Sequence, residues 1–311
     1  MKHSNSRRHV PHPVGFAMMA VLWAVVVVGT LALATALSGR EAFDAGRNRV
    51  SAERAFWHAN GCAERARAAV DSALNRSDVL PARTWRHLDA VLRSDPQSAA
   101  SACTVELDAT GSSLDVNAAS GVELTRLFSA MGRPDADALA DAVMDWRDVD
   151  DAPLPGGAES LWYAGQGRAL PRNGPLADVM ELARIRGFED GSAQRFLSVE
   201  PGPISIPNAS GAVLASVVGF TDEAVAAALS IRAQAGEIDD LLAFASTLSS
   251  AARDSIVVHY QEISRTTTLD PEAWVVTASG RSGAPSAVAV VELRLVRTNR
   301  RASVVRRRVR A

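Results

Sequence analysis

The amino-acid sequence predicts an α+β protein with a long N-terminal membrane helix packed on an antiparallel sheet and a large all-α domain inserted between the strands. Three observations lead to this prediction. Residues 16–39 form a run of 24 residues without a charge. Short Val-rich segments of alternating polarity lie towards both ends of the remaining chain, which is typical of a sheet with one solvated face. Ala-rich segments of helical periodicity lie between them.

The uncharged run is long enough to cross a membrane as one helix, since about 1.5 Å per residue covers a hydrocarbon layer of roughly 30 Å. Lys2, Arg7 and Arg8 precede the run, so the positive-inside rule predicts a cytoplasmic N-terminus and an external body. No proline interrupts residues 16–76, and Pro81 is expected to end the helix. The apolar residues beyond the run recur near helical spacing and are expected to pack on the body: Phe43, Val50, Phe56, Trp57, Ala63, Val70 and Leu74.

Strands are predicted at both ends of the external part. Residues 103–107 and 113–116 form the first group, and residues 273–278, 287–296 and 302–309 form the second. Cys62 and Cys103 are the two cysteines of the chain. Outside the cytoplasm they can form one disulfide between the long helix and the first strand, and two buried free thiols are the alternative.

A weak internal repeat with an offset of 90 residues occupies the middle of the chain, where residues 115–124 align with residues 205–214. Each copy continues into a Gly-containing turn and an Ala-rich helix, at residues 135–147 and 222–232. The unit resembles the helix-hairpin-helix or SAM-like repeat, which also occurs in DNA-binding proteins.

The charge distribution argues against DNA as a partner. Residues 115–250 carry 20 acidic residues against 9 arginines, although the whole chain has a net charge of only −2. Such a region repels a polyanion, whereas phosphate recognition needs lysine or arginine near the hairpins. Eight arginines and no acid lie between residues 294 and 310, but valines interrupt them as in a strand. The sequence therefore predicts no nucleic-acid partner, and a DNA-uptake protein remains an alternative.

The N-terminus resembles the class III leader of type IV pilins and type II secretion pseudopilins. In these proteins a prepilin peptidase cuts after glycine and methylates the next residue, which implies cleavage between Gly15 and Phe16. The alternative is an uncleaved signal anchor. Most family members carry Glu at the fifth mature position, where this chain has Ala20.

A specific series of motifs follows the first repeat. It comprises D-W-R-D-V-D-D (residues 145–151), G-G-A-E (156–159), the Trp-Tyr pair (162–163) and P-R-N-G-P (171–175). Together with the leader and the absent Glu, this series resembles the minor pseudopilin K family (general secretion pathway protein K) of type II secretion. The resemblance implies a subunit at the tip of the pseudopilus, anchored by one span in the inner membrane with its C-terminal domain in the periplasm. It also implies partners: minor pseudopilins I and J, with H as a further candidate, the major pseudopilin G, and the prepilin peptidase.

The resemblance divides the chain into six parts. These are a leader (1–15), a transmembrane helix (16–39), a pilin-like helix with the first strands (40–116), an inserted helical domain (117–195), a second helical repeat (196–265) and C-terminal strands (266–311).

Four carboxylates lie on one predicted loop: Asp148, Asp150, Asp151 and Glu159. Clustered oxygen ligands suit Ca²⁺, and the resemblance also implies calcium in this region. A solvated acidic loop that caps helices and pairs with Arg147 or Arg172 is the alternative. The motifs of common hydrolases, zinc proteases and phosphate-binding loops are absent from the sequence, so no enzymatic activity is predicted. A membrane-anchored enzyme or receptor domain remains an alternative function.

Overall fold

The computed structural model describes residues 14–76, 79–88, 103–234 and 236–310, and at residues 14–17 it describes the backbone alone. The predicted leader therefore lies outside the described residues as far as residue 13. The helices are α1 (Val14–Leu74), α2 (Pro81–Arg86), α3 (Gly121–Ala130), α4 (Ala136–Arg147), α5 (Ser160–Gly165), α6 (Gly211–Ser216), α7 (Asp222–Ala233), α8 (Leu241–Ser246), α9 (Ser250–Val258) and α10 (Tyr260–Thr266), with 3₁₀ helices at Val179–Arg184 and Gln194–Phe196. The strands are β1 (Cys103–Ala109), β2 (Leu114–Asp115), β3 (Leu197–Ser198), β4 (Ile204–Ser205), β5 (Thr267–Thr268), β6 (Trp274–Ser282), β7 (Ala287–Thr298) and β8 (Arg301–Arg310).

Helix α1 is continuous over 61 residues, as the absence of proline predicts. Its N-terminal part exposes large apolar side chains such as Leu22, Trp23 and Leu31. Among the described residues it is the one helix that is both long and apolar enough to cross a membrane. This arrangement fits a single-pass anchor.

Four antiparallel strands in the order β1-β6-β7-β8 form the main sheet. Buried and half-buried side chains alternate along β6, because successive residues of a strand point to opposite faces. Helix α1 packs on one face, where Ala59, Ala63 and Val70 contribute to an apolar core with Val276 and Leu293. We call α1 beyond the membrane segment, α2 and these four strands the sheet domain.

Helix α1 approaches the sheet through small side chains. A Cβ atom at Gly280 of β6 would lie 2.5 Å from the backbone nitrogen of Ala59, so only glycine permits this separation. Bulky residues are excluded from α1 directly opposite Gly280. The prediction that Phe43, Val50 and Trp57 pack on the body is wrong, since these side chains are 66%, 47% and 65% exposed.

Residues 114–268 form a helical domain inserted between β1 and β6, and its two units show the same internal construction. In the first unit β2 pairs in parallel with β3, and in the second β4 pairs in parallel with β5. Ser120 and Ser210 cap the first helix of their respective units. One apolar core spans both units. The helical domain is therefore a single packed body built from a duplicated element.

An arginine at the end of the second helix closes each unit. Arg147 donates to the carbonyl oxygens of Val116 and Ala119. At the equivalent positions of the second unit, Arg232 donates to the carbonyl oxygens of Ile206 (2.7 Å) and Ala209 (2.8 Å).

The structure shifts two of the predicted boundaries. Strand β2, predicted with the first strands of the sheet, belongs to the helical domain because its partner is β3. Strand β3, predicted within the second repeat, closes the first unit for the same reason. Parallel pairing of two-residue strands joins positions far apart in the chain, which local periodicity does not reveal.

Candidate functional site

The C-terminal end of α4 and the loop that follows it bring three carboxyl groups together. Asp145 and Asp148 lie three residues apart and so share one face of the helix end. The loop then folds back and places Glu159, just before α5, beside them. One oxygen from each of these three side chains lies within 4.8 Å of the others.

Two glycines of the G-G-A-E motif allow the loop to lie directly on α4. A Cβ atom at Gly156 would lie 2.6 Å from the Cα atom of Ala138, and a Cβ atom at Gly157 would overlap the carboxyl group of Asp145. The Gly157 carbonyl oxygen is held by the Arg186 guanidinium at 2.9 Å. Steric constraint therefore explains the glycine at position 157, since a larger residue there would displace a carboxyl group of the cluster.

The cluster is buried and incompletely hydrogen-bonded. Asp145 is 0% exposed and Glu159 is 4% exposed. Asp145 accepts hydrogen bonds from the Leu154 amide at 3.2 Å. Within the described part of the chain, neither carboxyl oxygen of Glu159 nor Oδ1 of Asp148 has a hydrogen-bond partner. Buried carboxyl oxygens without partners are costly, so a cation or a proton would stabilise them.

Burial and mutual repulsion raise the pKa values of all three groups. Desolvation raises the pKa of Glu159 from 4.5 to about 7, and the nearby charges of Asp145 and Asp148 add to the effect. Desolvation is also the largest cause of the raised pKa values of Asp145 and Asp148. The cluster therefore binds protons more tightly than ordinary carboxylates when no cation neutralises it.

The remaining predicted ligands lie on the exposed rim of the same loop. Asp151 accepts a hydrogen bond from the Ser160 hydroxyl at 2.8 Å. The side-chain amide of Asn173, from the P-R-N-G-P motif, donates to the carbonyl oxygen of Asp150 at 3.3 Å. The structure thus brings Asp148 and Glu159 together, whereas Asp150 and Asp151 are outside the three-carboxylate group.

Sequence reasoning missed Asp145 as a member of the cluster. Asp145 begins the D-W-R-D-V-D-D motif, and its spacing of three from Asp148 is the available sequence signal.

The oxygen ligands of the cluster, its buried oxygens without partners and its raised pKa values together fit a hard cation such as Ca²⁺. The residues that would hold it are Asp145, Asp148 and Glu159. A bound cation would neutralise their charge and tie the loop to α4.

One cysteine lies in α1 and the other begins β1. The structure joins Cys62 and Cys103 as a disulfide with a Cα–Cα distance of 6.6 Å, within the usual range for this bond. The guanidinium of Arg65 lies 2.7 Å from the sulfur of Cys62. The bond attaches the long helix to the edge strand of the sheet.

The predicted processing site lies at the start of α1. The backbone of Gly15 and Phe16 is helical, and Ala20 lies on the exposed surface of the helix. The proposed cleavage and methylation remain predictions, since they concern chemistry at the leader.

Residues 82–199 match the family model described as type II secretion system (T2SS), protein K. This range contains the first helical unit, all four predicted metal ligands and Asp145. The resemblance inferred from the motifs at residues 145–175 is thereby confirmed.

A chain from a solved type II secretion complex agrees in fold. The chain is similar to a chain of the GspK–GspI–GspJ complex from the type II secretion system of enterotoxigenic Escherichia coli, with 17% sequence identity and a TM-score of 0.62. The match covers 86% of this chain and 99% of the other. No curated protein matches this chain in sequence. The structural match confirms the predicted α+β architecture.

Proposed function

We propose that this chain is a minor pseudopilin of type II secretion that stands at the tip of the pseudopilus with partners of types I and J. The observation that carries the proposal is a helical domain, matched in its first unit by the protein K family model, inserted into a helix-and-sheet scaffold with a helix long enough to span a membrane. The solved relative is a complex with two such partners. A domain of this size on the sheet would obstruct a further subunit above it, which suits the end of a filament.

The exposed face of α1 supports assembly through helix packing. Phe43, Val50 and Trp57 are spaced by seven residues, so they lie on one side of the helix. All three are exposed in the single chain. An apolar stripe outside the membrane segment that the chain itself does not cover favours a second amphipathic helix as its partner. Further contacts with types H and G, and insertion in the inner membrane with a periplasmic C-terminal domain, belong to the same proposal.

Co-purification from membranes tests the assembly. The full-length chain is co-expressed with minor pseudopilins I and J, extracted in mild detergent and captured by a tag on one partner. We expect a complex of all three, and Val50→Glu is expected to reduce recovery at least tenfold. Val257→Glu is the matched control, because Val257 on α9 is similarly exposed (52% against 47%) and lies away from α1. Failure to recover the complex with the wild-type chain would refute the proposed partners.

Intact-mass measurement tests the processing. In cells with an active prepilin peptidase, we expect the mature protein to begin at methylated Phe16. A mature protein that retains residues 1–15 would support the uncleaved anchor instead. The chain has Ala20 at the fifth mature position, so we expect that cleavage does not require a carboxylate there. The Ala20→Glu variant is therefore expected to be cleaved as well.

We further propose that Asp145, Asp148 and Glu159 hold a structural Ca²⁺. The three carboxyl groups share a small buried volume in which Glu159 and Asp148 have oxygens without partners among the described residues. Ca²⁺ usually takes about six to eight oxygen ligands, so water or loop carbonyl oxygens would complete the site. Isothermal titration of the purified chain with Ca²⁺ tests the site, and absence of binding at neutral pH would refute it.

A further inference from the structure

The sheet domain and the helical domain have separate apolar cores. One buried cluster comprises residues of α1, α2 and the four-stranded sheet, and the other lies within residues 114–263. The two chain connections between the domains lie side by side at one crossing, where the amide of Thr110 donates to the carbonyl oxygen of Ala273 at 2.9 Å. Because no shared apolar core joins the domains within the described residues, polar contacts away from this crossing must decide how they are oriented.

One such contact lies on the sheet face opposite α1. Glu200, between β3 and β4, is surrounded by arginines of β7 and β8. Arg294 lies 2.9 Å from one carboxyl oxygen, and Arg306 and Arg308 approach the other, Arg308 at 3.6 Å. The side chains of Glu200 and Arg294 are only 18% and 16% exposed. We call this group the sheet clasp.

The alternation of β7 fixes the side on which the sheet clasp lies. Leu293 and Leu295 point into the core shared with α1. The intervening residue Arg294 therefore points to the other face of the sheet.

A second contact lies on the α1 side. Arg86 of α2 is 11% exposed at its side chain and contacts three carboxylates: Asp239 at 2.6 Å, Asp270 at 2.8 Å and Glu237 at 3.2 Å. Arg83 also pairs with Glu237, at 2.6 Å. We call this group the helix clasp.

Packing places the helix clasp on the α1 side of the sheet. Trp85 of α2 is buried in the core with α1, and its indole donates to the carbonyl oxygen of Pro271 at 2.8 Å. The two clasps therefore hold the helical domain from opposite faces of the sheet.

We propose that these two clasps jointly fix the orientation of the helical domain, so that swinging it about the crossing at Thr110 and Ala273 requires both to open. In both clasps the arginines belong to the sheet domain, whereas Glu200, Glu237 and Asp239 belong to the helical domain and Asp270 to the connection between them. The sheet clasp thus pairs three arginines of the arginine-rich end with one carboxylate of the acidic middle of the sequence. Because one core spans both helical units, the domain moves as one body, and each clasp restrains all of it.

Hydrogen exchange of the full-length chain in lipid nanodiscs tests the proposal at two amides near the crossing. Thr110 donates to Ala273, and Ser205 donates to the carbonyl oxygen of Gly111 at 2.8 Å. Glu200→Gln opens the sheet clasp, and Arg86→Gln opens the helix clasp. We expect each variant to raise exchange at both amides by about tenfold, which corresponds to about 1.4 kcal/mol. The double variant is expected to raise it by about the product of the two effects, since both contacts break in the same motion.

Two results would overturn the proposal. In one, each variant accelerates only the amide nearer to its own clasp, which indicates independent local openings. In the other, the double variant exchanges at the wild-type rate. Glu262→Gln on α10 and Arg281→Gln on β6 are matched controls outside both clasps and should leave the two amides unchanged. Retained protection of the amides within β6 and β7 shows that the variants are folded.

Discussion

The pH dependence of the carboxylate cluster gives the sharpest prediction. The pKa of Glu159 in the folded chain, about 7, lies above the ordinary value of 4.5 expected for the unfolded chain. Between these values the folded state holds a proton that the unfolded state has released. Without a cation, the stability from this group is therefore fully present below pH 4.5 and is lost as the pH rises through 7. At 1.36 kcal/mol per pH unit, the loss across this window is about 3 kcal/mol.

Calcium is expected to offset this loss at neutral pH but not in acid. At a concentration of about 100 times its dissociation constant, a ligand stabilises by about 2.7 kcal/mol, which raises the melting temperature of a protein of this size by about 5 to 10 °C. At pH 5.5 the ion must displace a proton from Glu159, so its affinity falls by about 25-fold relative to pH 7.5. At the same calcium concentration, the increase in melting temperature then falls to about 2 to 4 °C.

The assay is thermal unfolding of the detergent-solubilised chain with Ca²⁺ or with a chelator, at both pH values. Glu159→Gln removes the titrating group, so the variant should lose the downward trend between pH 4.5 and 7 in the chelator and most of the calcium shift. Glu262→Gln, an exposed glutamate on α10, is the control and should behave as wild type. An equal calcium shift at pH 5.5 and 7.5, or an unchanged shift in Glu159→Gln, would refute the reasoning.

Three further predictions concern the scaffold. Replacing Cys62 and Cys103 by serine opens a loop with a sequence separation of 41 and should lower the free energy of unfolding by about 4 kcal/mol in urea titrations. Gly280→Ala introduces a Cβ atom against the backbone of α1 and should cost about 1 to 3 kcal/mol in the same assay. Arg147→Gln removes donors from two carbonyl oxygens and should cost about 2 to 4 kcal/mol, and Arg232→Gln should have a similar effect because it closes the second unit in the same way.

Each of these predictions has a distinguishing control. Dithiothreitol should destabilise the wild-type chain and leave the double serine variant unaffected. Gly165→Ala on α5, where no atom lies within 4 Å of the added Cβ, should be neutral or slightly stabilising. An arginine variant that destabilises in only one of the two units would contradict their structural equivalence.

The sequence was sufficient to predict the features that depend on residues close together in the chain. The uncharged run at residues 16–39 and the absence of proline predicted α1, because both depend only on consecutive residues. The motif spacing predicted Asp148 and Glu159 as neighbours. Asp145 was missed because it resembles an ordinary polar residue at a helix end, and its burial depends on the loop folding back over Gly157.

Two other features depend on contacts that periodicity cannot assign. The repeated apolar residues Phe43, Val50 and Trp57 correctly indicate an amphipathic helix. However, periodicity does not show whether the apolar face meets the same chain or another one. The partner of β2 lies more than 80 residues away at Leu197 and Ser198, beyond the reach of local pattern. These pairings arise from the packing of the whole helical domain.

The position of the helical domain between β1 and β6 also constrains the order in which the molecule is completed. These two strands are neighbours in the sheet, yet the whole helical domain separates them in the chain. The loop-closure cost of joining them falls once that domain has folded and brought its two ends together. A chain with a damaged helical domain would therefore pair β1 with β6 less favourably, so completion of the sheet depends on the folding of the helical domain.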